Sequence, residues 1–201
     1  MRKSKVETAE TRQRIVAMAS KVFLSKGLAA TGVSDIMAAA GLTQGGFYRH
    51  FESKEALIAE ANAVAIDRLF GIFDEAVEGK KPREALDLIV RLYLSQLQVD
   101  APEFLCPLAN LGSELRHADQ QIRATATDGH QRLIALIAAQ AEKLGVAEPR
   151  NLADAIVSTI VGAVTLSKLT ADAAAANLVL ANAQNTVHLL LAARTPIKRA
   201  A

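Results

Sequence analysis

The side chains able to do chemistry in this 201-residue chain are few and unevenly placed. Its four histidines (His50, His117, His130 and His188) and its single cysteine, Cys106, show none of the His-x-x-x-His or Cys-x-x-Cys spacings that gather metal ligands. No nucleophile, base and orienting group can be assembled, and carboxylate pairs such as Asp74 and Glu75 read as solvated helix charges. A catalytic centre, a bound metal and a cofactor are therefore not expected. Groups suited to a different chemistry crowd into one short stretch that holds Thr43, Gln44, Gly45, Gly46, Tyr48, His50 and Lys54. A glutamine amide can pair bidentately with adenine, and a threonine hydroxyl can reach a base or a phosphate. Two consecutive glycines cost a helix about 1 kcal/mol each relative to alanine. They mark either a weak helix start or a place where backbone comes close to DNA. Lys54 adds its charge to a helix N-terminus, a combination suited to a phosphate.

These groups need a scaffold, and the spacing of apolar residues predicts one. Residues 1–7 read as a loose polar arm, whose Arg2, Lys3 and Lys5, with Arg12 beyond, can attract phosphates nonspecifically. Thr8 can cap a first helix in which Ile15, Met18, Ala19, Val22 and Phe23 recur at helical spacing as far as Lys26, and Gly27 stops it. A short helix follows over 33–40, with Gly32 as its N-cap, Asp35 in its first turn and Gly41 at its end. Thr43 caps a second short helix reaching His50. Only Leu42 separates that cap from Gly41, so the two helices must turn sharply on each other. The result is a helix-turn-helix over 33–51, closed by a small core of Ile36, Leu42, Phe47 and Phe51. Ser53 caps a longer connector from Lys54 to about Glu78, and further helices are predicted over 82–99, 106–115, 118–144, 149–169 and 173–194, nine in all.

Composition agrees with an all-α chain, since 51% of residues are apolar and only 4% aromatic, with alanine and leucine prominent. Net charge is uneven: residues 1–58 hold nine Lys/Arg against five Asp/Glu, whereas the remainder holds fourteen against sixteen. The basic end is the one to meet phosphates. One cysteine cannot form an intramolecular disulfide, and no leader pattern opens the chain, so a reducing cytoplasm is the expected setting. The low-charge stretches near 155–166 and 178–193 are shorter than a membrane span and carry polar residues, which predicts buried helices and no membrane partner.

Residues 27–57, reading GLAATGVSDIMAAAGLTQGGFYRHFESKEAL, resemble the N-terminal domain of the TetR family, the tetracycline-repressor-like bacterial regulators. The resemblance rests on Val33 and Ile36, Ala39-Ala40-Gly41, the Gly-x-Phe-Tyr-x-His-Phe run from Gly45 to Phe51, and Ser53-Lys54-Glu55. It implies an N-terminal three-helix DNA-binding domain, 1–54, followed by a helical ligand-sensing and dimerisation domain, 55–201. It implies that Tyr48 and His50 meet phosphate oxygens and that the leading turn Thr43 to Gly46 enters the major groove. Family members commonly carry Lys where Gln44 stands and Ser, Thr or Ala where Gly46 stands, so the operator of a relative does not transfer.

The implied function is a repressor that binds a near-palindromic double-stranded operator as a homodimer and is released by a small-molecule or electrophile inducer. A DNA-binding protein of the same fold without sensing is the alternative. The last two helices fit a dimer interface, being apolar or small on most faces. Cys106 precedes Pro107; as a helix cap its sulfur would be a reactive thiolate open to electrophiles, and as a core residue it would be an inert small hydrophobe. Tyr93, Asn110, Glu114 and His130 are candidate polar contacts in an apolar ligand cavity shaped by Phe70, Phe73, Leu97 and Phe104.

Overall fold

The computed structural model describes residues 5–95 and 105–194. Every regular element among them is helical: α1 (Lys5–Lys26), α2 (Val33–Ala39), a 3-10 helix (Gln44–Arg49), α3 (Lys54–Val77), α4 (Pro82–Leu94), α5 (Pro107–Leu115), α6 (Gln120–Lys143), α7 (Pro149–Ser167) and α8 (Ala173–Arg194). The nine expected helices are present among the described residues. None is long and apolar enough to cross a membrane.

The differences from expectation are local. Thr8 lies inside α1, because nothing in Lys5-Val6-Glu7 interrupts the helix and Glu7 suits its first turn. The arm therefore loses residues 5–7, while Arg2 and Lys3 lie outside the described residues. The second short helix is 3-10, with Gly46 N donating to Thr43 O (3.1 Å) and His50 N to Phe47 O (2.9 Å). Six residues with two glycines directly after the first favour such a tight, short turn. α6 starts later than predicted because Asp119 caps it, its Oδ1 accepting from Ile122 N at 2.9 Å. The predicted end of α4, residues 96–99, lies outside the described residues.

The chain forms two compact units. The first contains Met1–Leu69 and Ala101–Gly129. Its core joins Ile15, Ala19 and Phe23 of α1, Ile36 and Met37 of α2, Phe47 and Phe51, and Leu57 and Ala61 of α3 to Leu111, Leu115 and Ile122. Gly27 and Gly41 take positive φ, +89° and +70°, and reverse the chain after α1 and α2 as the sequence predicts. At Gly129 a Cβ would lie 2.6 Å from Ile66 Cδ1 and 3.1 Å from its Cγ1, so the missing side chain lets α6 come close to α3.

The second unit contains Phe70–Asp100 and His130–Ala201. α4 buries Leu86, Ile89, Val90 and Tyr93, a helical stripe, and packs on α7 and α8, which pack on each other. α7 buries Leu152, Ile156, Ile160 and Val164, and α8 buries Leu180, Ala183, Val187 and Leu191. Other positions are open among the described residues: Leu166 of α7 (57%), Leu169 in the turn after it (78%), and Leu178 (61%) and Leu189 (71%) of α8 are exposed. The apolar character that the sequence attributed to burial on several sides thus includes leucines facing solvent.

Candidate nucleic-acid interface

The three-helix arrangement at the N-terminus is fixed by a few buried side chains. Phe47 is fully buried and stacks on Phe51 with ring centroids 5.6 Å apart, and it meets Tyr48 edge to face at 5.2 Å. Asp35 Oδ2 accepts from Gly32 N at 2.8 Å at the start of α2, and Ser53 Oγ accepts from Ala56 N at 3.0 Å at the start of α3. The expected caps at 32 and 53 are therefore in place. Thr43 has extended cap geometry, φ −85° and ψ 147°, but its hydroxyl makes no capping bond. That hydroxyl stands on an exposed residue, available to an outside partner.

Around this core the candidate reading residues face outward. Thr43, Gln44 and Gly45 are exposed, Gly46 is half-buried, and Tyr48 is 76% exposed. Of Gln44–Arg49 only Phe47 is buried. A Cβ built on Gly45 meets nothing within 4 Å, and one on Gly46 meets only Met37 Cε at 3.6 Å, an ordinary contact. Neither glycine has a positive φ. The fold itself therefore requires glycine at neither position.

His50 and Lys54 are placed differently. His50 is half-buried behind the 3-10 helix, and its carbonyl accepts from Arg12 Nε at 3.2 Å. Lys54 turns its Nζ to the Leu28 carbonyl at 2.8 Å, which ties α3 to the turn after α1. Arg12, expected to attract phosphates, instead makes a two-pronged contact with Glu60, with Nη1 to Oε2 at 2.6 Å and Nη2 to Oε1, and lies 4.6 Å over the Phe51 ring. The hydrogen bonds that Arg12 donates to Glu60 raise its pKa above its ordinary value, against the opposing effect of burial. Arg49 was missed by sequence reasoning. It is the basic residue of the 3-10 helix, exposed beside Tyr48, and its charge inside the reading segment was the signal available.

The sequence model for bacterial regulatory proteins of the tetR family matches residues 15–61. The model for the C-terminal domain of LmrA/YxaF-like transcriptional regulators matches residues 82–184, half of the chain. The chain belongs to the TetR family. Among relatives of this TetR-family chain, the HTH-type transcriptional repressor KstR2 of Rhodococcus jostii is 39% identical over 80 residues, 39% of each chain. The chain spans less than half the length of the curated relatives it matches. A TetR transcriptional regulator from Chloroflexus aurantiacus superposes with a TM-score of 0.77 at 27% identity, covering 90% of this chain and 96% of its own. The reduced form of NemR from E. coli shares the fold, with a TM-score of 0.78 at 21% identity over 89% and 95% of the two chains.

The candidate sensing residues of this TetR-family chain fall in both compact units. Cys106 is buried and is the N-cap residue of α5, with φ −79° and ψ 126°. Asn110 Nδ2 donates to the Cys106 carbonyl at 2.8 Å, and Glu114 accepts from two backbone amides, Leu28 N at 3.1 Å and Ala29 N at 2.7 Å. These three belong to the first unit. Tyr93, fully buried, and His130, half-buried, belong to the second, as do Phe70 and Phe73, whose rings meet edge to face at 6.1 Å. Phe104 and Leu97 lie outside the described residues. A cleft of about 640 Å³ in the first unit is lined by Lys54, Glu55, Glu114, His117 and Asp119 over an apolar floor that includes Leu28, Ile58 and Ile122. Of the expected sensing residues it includes Glu114.

Proposed function

We propose that this TetR-family chain is a transcriptional repressor that reads a near-palindromic operator as a homodimer. One observation carries the reading: the segment from Thr43 to Arg49 holds itself by Phe47 alone and turns its remaining groups outward. Residues 1–54 form the DNA-binding domain and 55–201 the sensing and dimerisation domain. Gln44 is the residue that reads a base, Thr43 and the Gly45-Gly46 backbone approach the groove, and Tyr48 and Arg49 meet phosphates. His50 and Lys54 add phosphate contacts, and Lys54 also holds the turn before α2, which its bond to the Leu28 carbonyl supports.

Dimerisation runs through α7 and α8. The exposed leucines at 166, 178 and 189 on these two helices, with Leu169 in the turn between them, support it, because such side chains on adjacent helices suit a surface that another chain covers. One short reading helix contacts too few bases alone, and two held at fixed spacing meet half-sites about one helical turn apart, or a multiple of that. The setting is the cytoplasm, and a small molecule or an electrophile releases the operator. Cys106, at the start of α5, is the electrophile candidate. Tyr93 and His130 are the candidates for contact with a small molecule. Selection of bound sites from a random DNA pool is expected to return paired, inverted half-sites, followed by compounds that release them. A pool that shows no enrichment sinks the reading.

A further inference from the structure

The turn between α1 and α2, residues 27–32, sets the direction in which α2 and the reading segment leave α1, and side chains from two other helices hold it. Leu28 is held through both of its backbone polar groups. Its N–H donates to Glu114 Oε1 of α5 at 3.1 Å, and its carbonyl accepts from Lys54 Nζ of α3 at 2.8 Å. The next amide, Ala29 N, donates to Glu114 Oε2 at 2.7 Å. Gly27 completes the cradle. Its φ of +89° is a left-handed conformation that glycine adopts without strain, and a Cβ there would stand 2.8 Å from Glu114 Oε1. Thr31 Oγ1 closes the turn from within by donating to the Gly27 carbonyl at 2.6 Å.

Both oxygens of Glu114 are thus engaged by one peptide turn 85 and 86 residues away in sequence. A carboxylate held this way is a poor candidate for ligand contact and a good one for a mechanical link, since bonds from amides to an ionised acceptor are stronger than neutral ones. The link can also be undone. Leu28, Ala29, Lys54 and Glu114 all line the open cleft of about 640 Å³, so water can replace the bonds as they break. The stretch that carries α5, Ala101–Gly129, is moreover inserted in the chain between the two parts of the second unit.

We propose that Glu114 is a positioning residue that latches α5 onto the turn before α2, and that release of this latch lowers operator affinity. This rests on the operator-binding reading above. The test uses the full chain, the operator selected from the random pool, an unrelated duplex of equal length, and amide hydrogen exchange at Leu28 and Ala29. Glu114→Gln keeps the shape but faces one amide with a second donor. It is expected to weaken operator binding about tenfold, leave binding to the unrelated duplex unchanged, and speed exchange at both amides. Gly27→Ala fills the cradle and is expected to do the same, and the double variant should be no weaker than the more affected single one, as sites sharing one interaction behave. Wild-type operator affinity in Glu114→Gln with faster exchange overturns the latch, as does an equal loss on both duplexes. If a variant fails to fold, the wild type decides: operator binding should slow exchange at Leu28 and Ala29, and unchanged exchange overturns the proposal. A wild-type chain that selects no DNA instead overturns the operator-binding reading, and the latch falls with it.

Discussion

Gln44 and Gly45 stand side by side on the candidate reading segment, and replacing either is expected to weaken operator binding, with different effects on stability. Gln44→Ala removes an exposed amide from a side chain the fold does not use, so thermal stability should hold while operator affinity falls by about 1–3 kcal/mol. Affinity for an unrelated duplex at the same salt should stay within a factor of two or so, because phosphate attraction is untouched. Equal losses on both duplexes would take base reading away from Gln44. Gly45→Ala places a methyl where the protein leaves open space, so the variant should be more stable, by up to about 1 kcal/mol, and should bind the operator less tightly. Undiminished binding would reduce Gly45 to a weak helix start. That the candidate reading residues would stand outside the core was legible, because they interrupt an apolar pattern inside a recognisable motif. The bonds that hold the motif were not. Arg12 pairs with Glu60 across 48 residues and Glu114 with Leu28 across 86, and a lone charge in a sequence gives no sign of which distant group will meet it.

At the scale of elements the sequence was more informative. Gly27, Gly41 and Gly145 follow helices with positive φ, and Pro82, Pro107 and Pro149 open them, so punctuation set most boundaries. The 3-10 character of Gln44–Arg49 escaped prediction because apolar spacing over six residues fits either helix type. One buried polar pair also breaks the apolar pattern of its helices. Ser20 of α1 and Asn62 of α3 are buried, line a cavity of about 10 Å³, and Ser20 Oγ and both Asn62 amide atoms have no protein partner among the described residues. An unpaired buried polar group costs about 1–3 kcal/mol. Asn62→Leu is therefore expected to raise the midpoint of thermal unfolding by several degrees. A lowered midpoint would mean that the amide is satisfied inside that cavity.

For the whole molecule, the decisive surface is the one that the chain leaves uncovered. Leu189→Glu puts a charge on a residue that is 71% exposed in the single chain, so the folded chain should tolerate it, whereas a dimer closed by α7 and α8 should not. Light scattering after size exclusion should show a monomer, and operator binding should need both half-sites no longer. A dimer that persists would move the interface elsewhere. Composition made these helices look buried without saying whether their own chain or a second copy does the burying, because an apolar stripe has the same spacing in both cases. The reading segment carries the opposite lesson. Five of its six residues are not buried, so folding filters random changes there only weakly, and on the operator-binding reading proposed above it is DNA that filters them. After gene duplication, one copy can drift to a new operator through viable intermediates while the rest of the protein stays constant. A family built this way diversifies by editing a few solvent-facing letters.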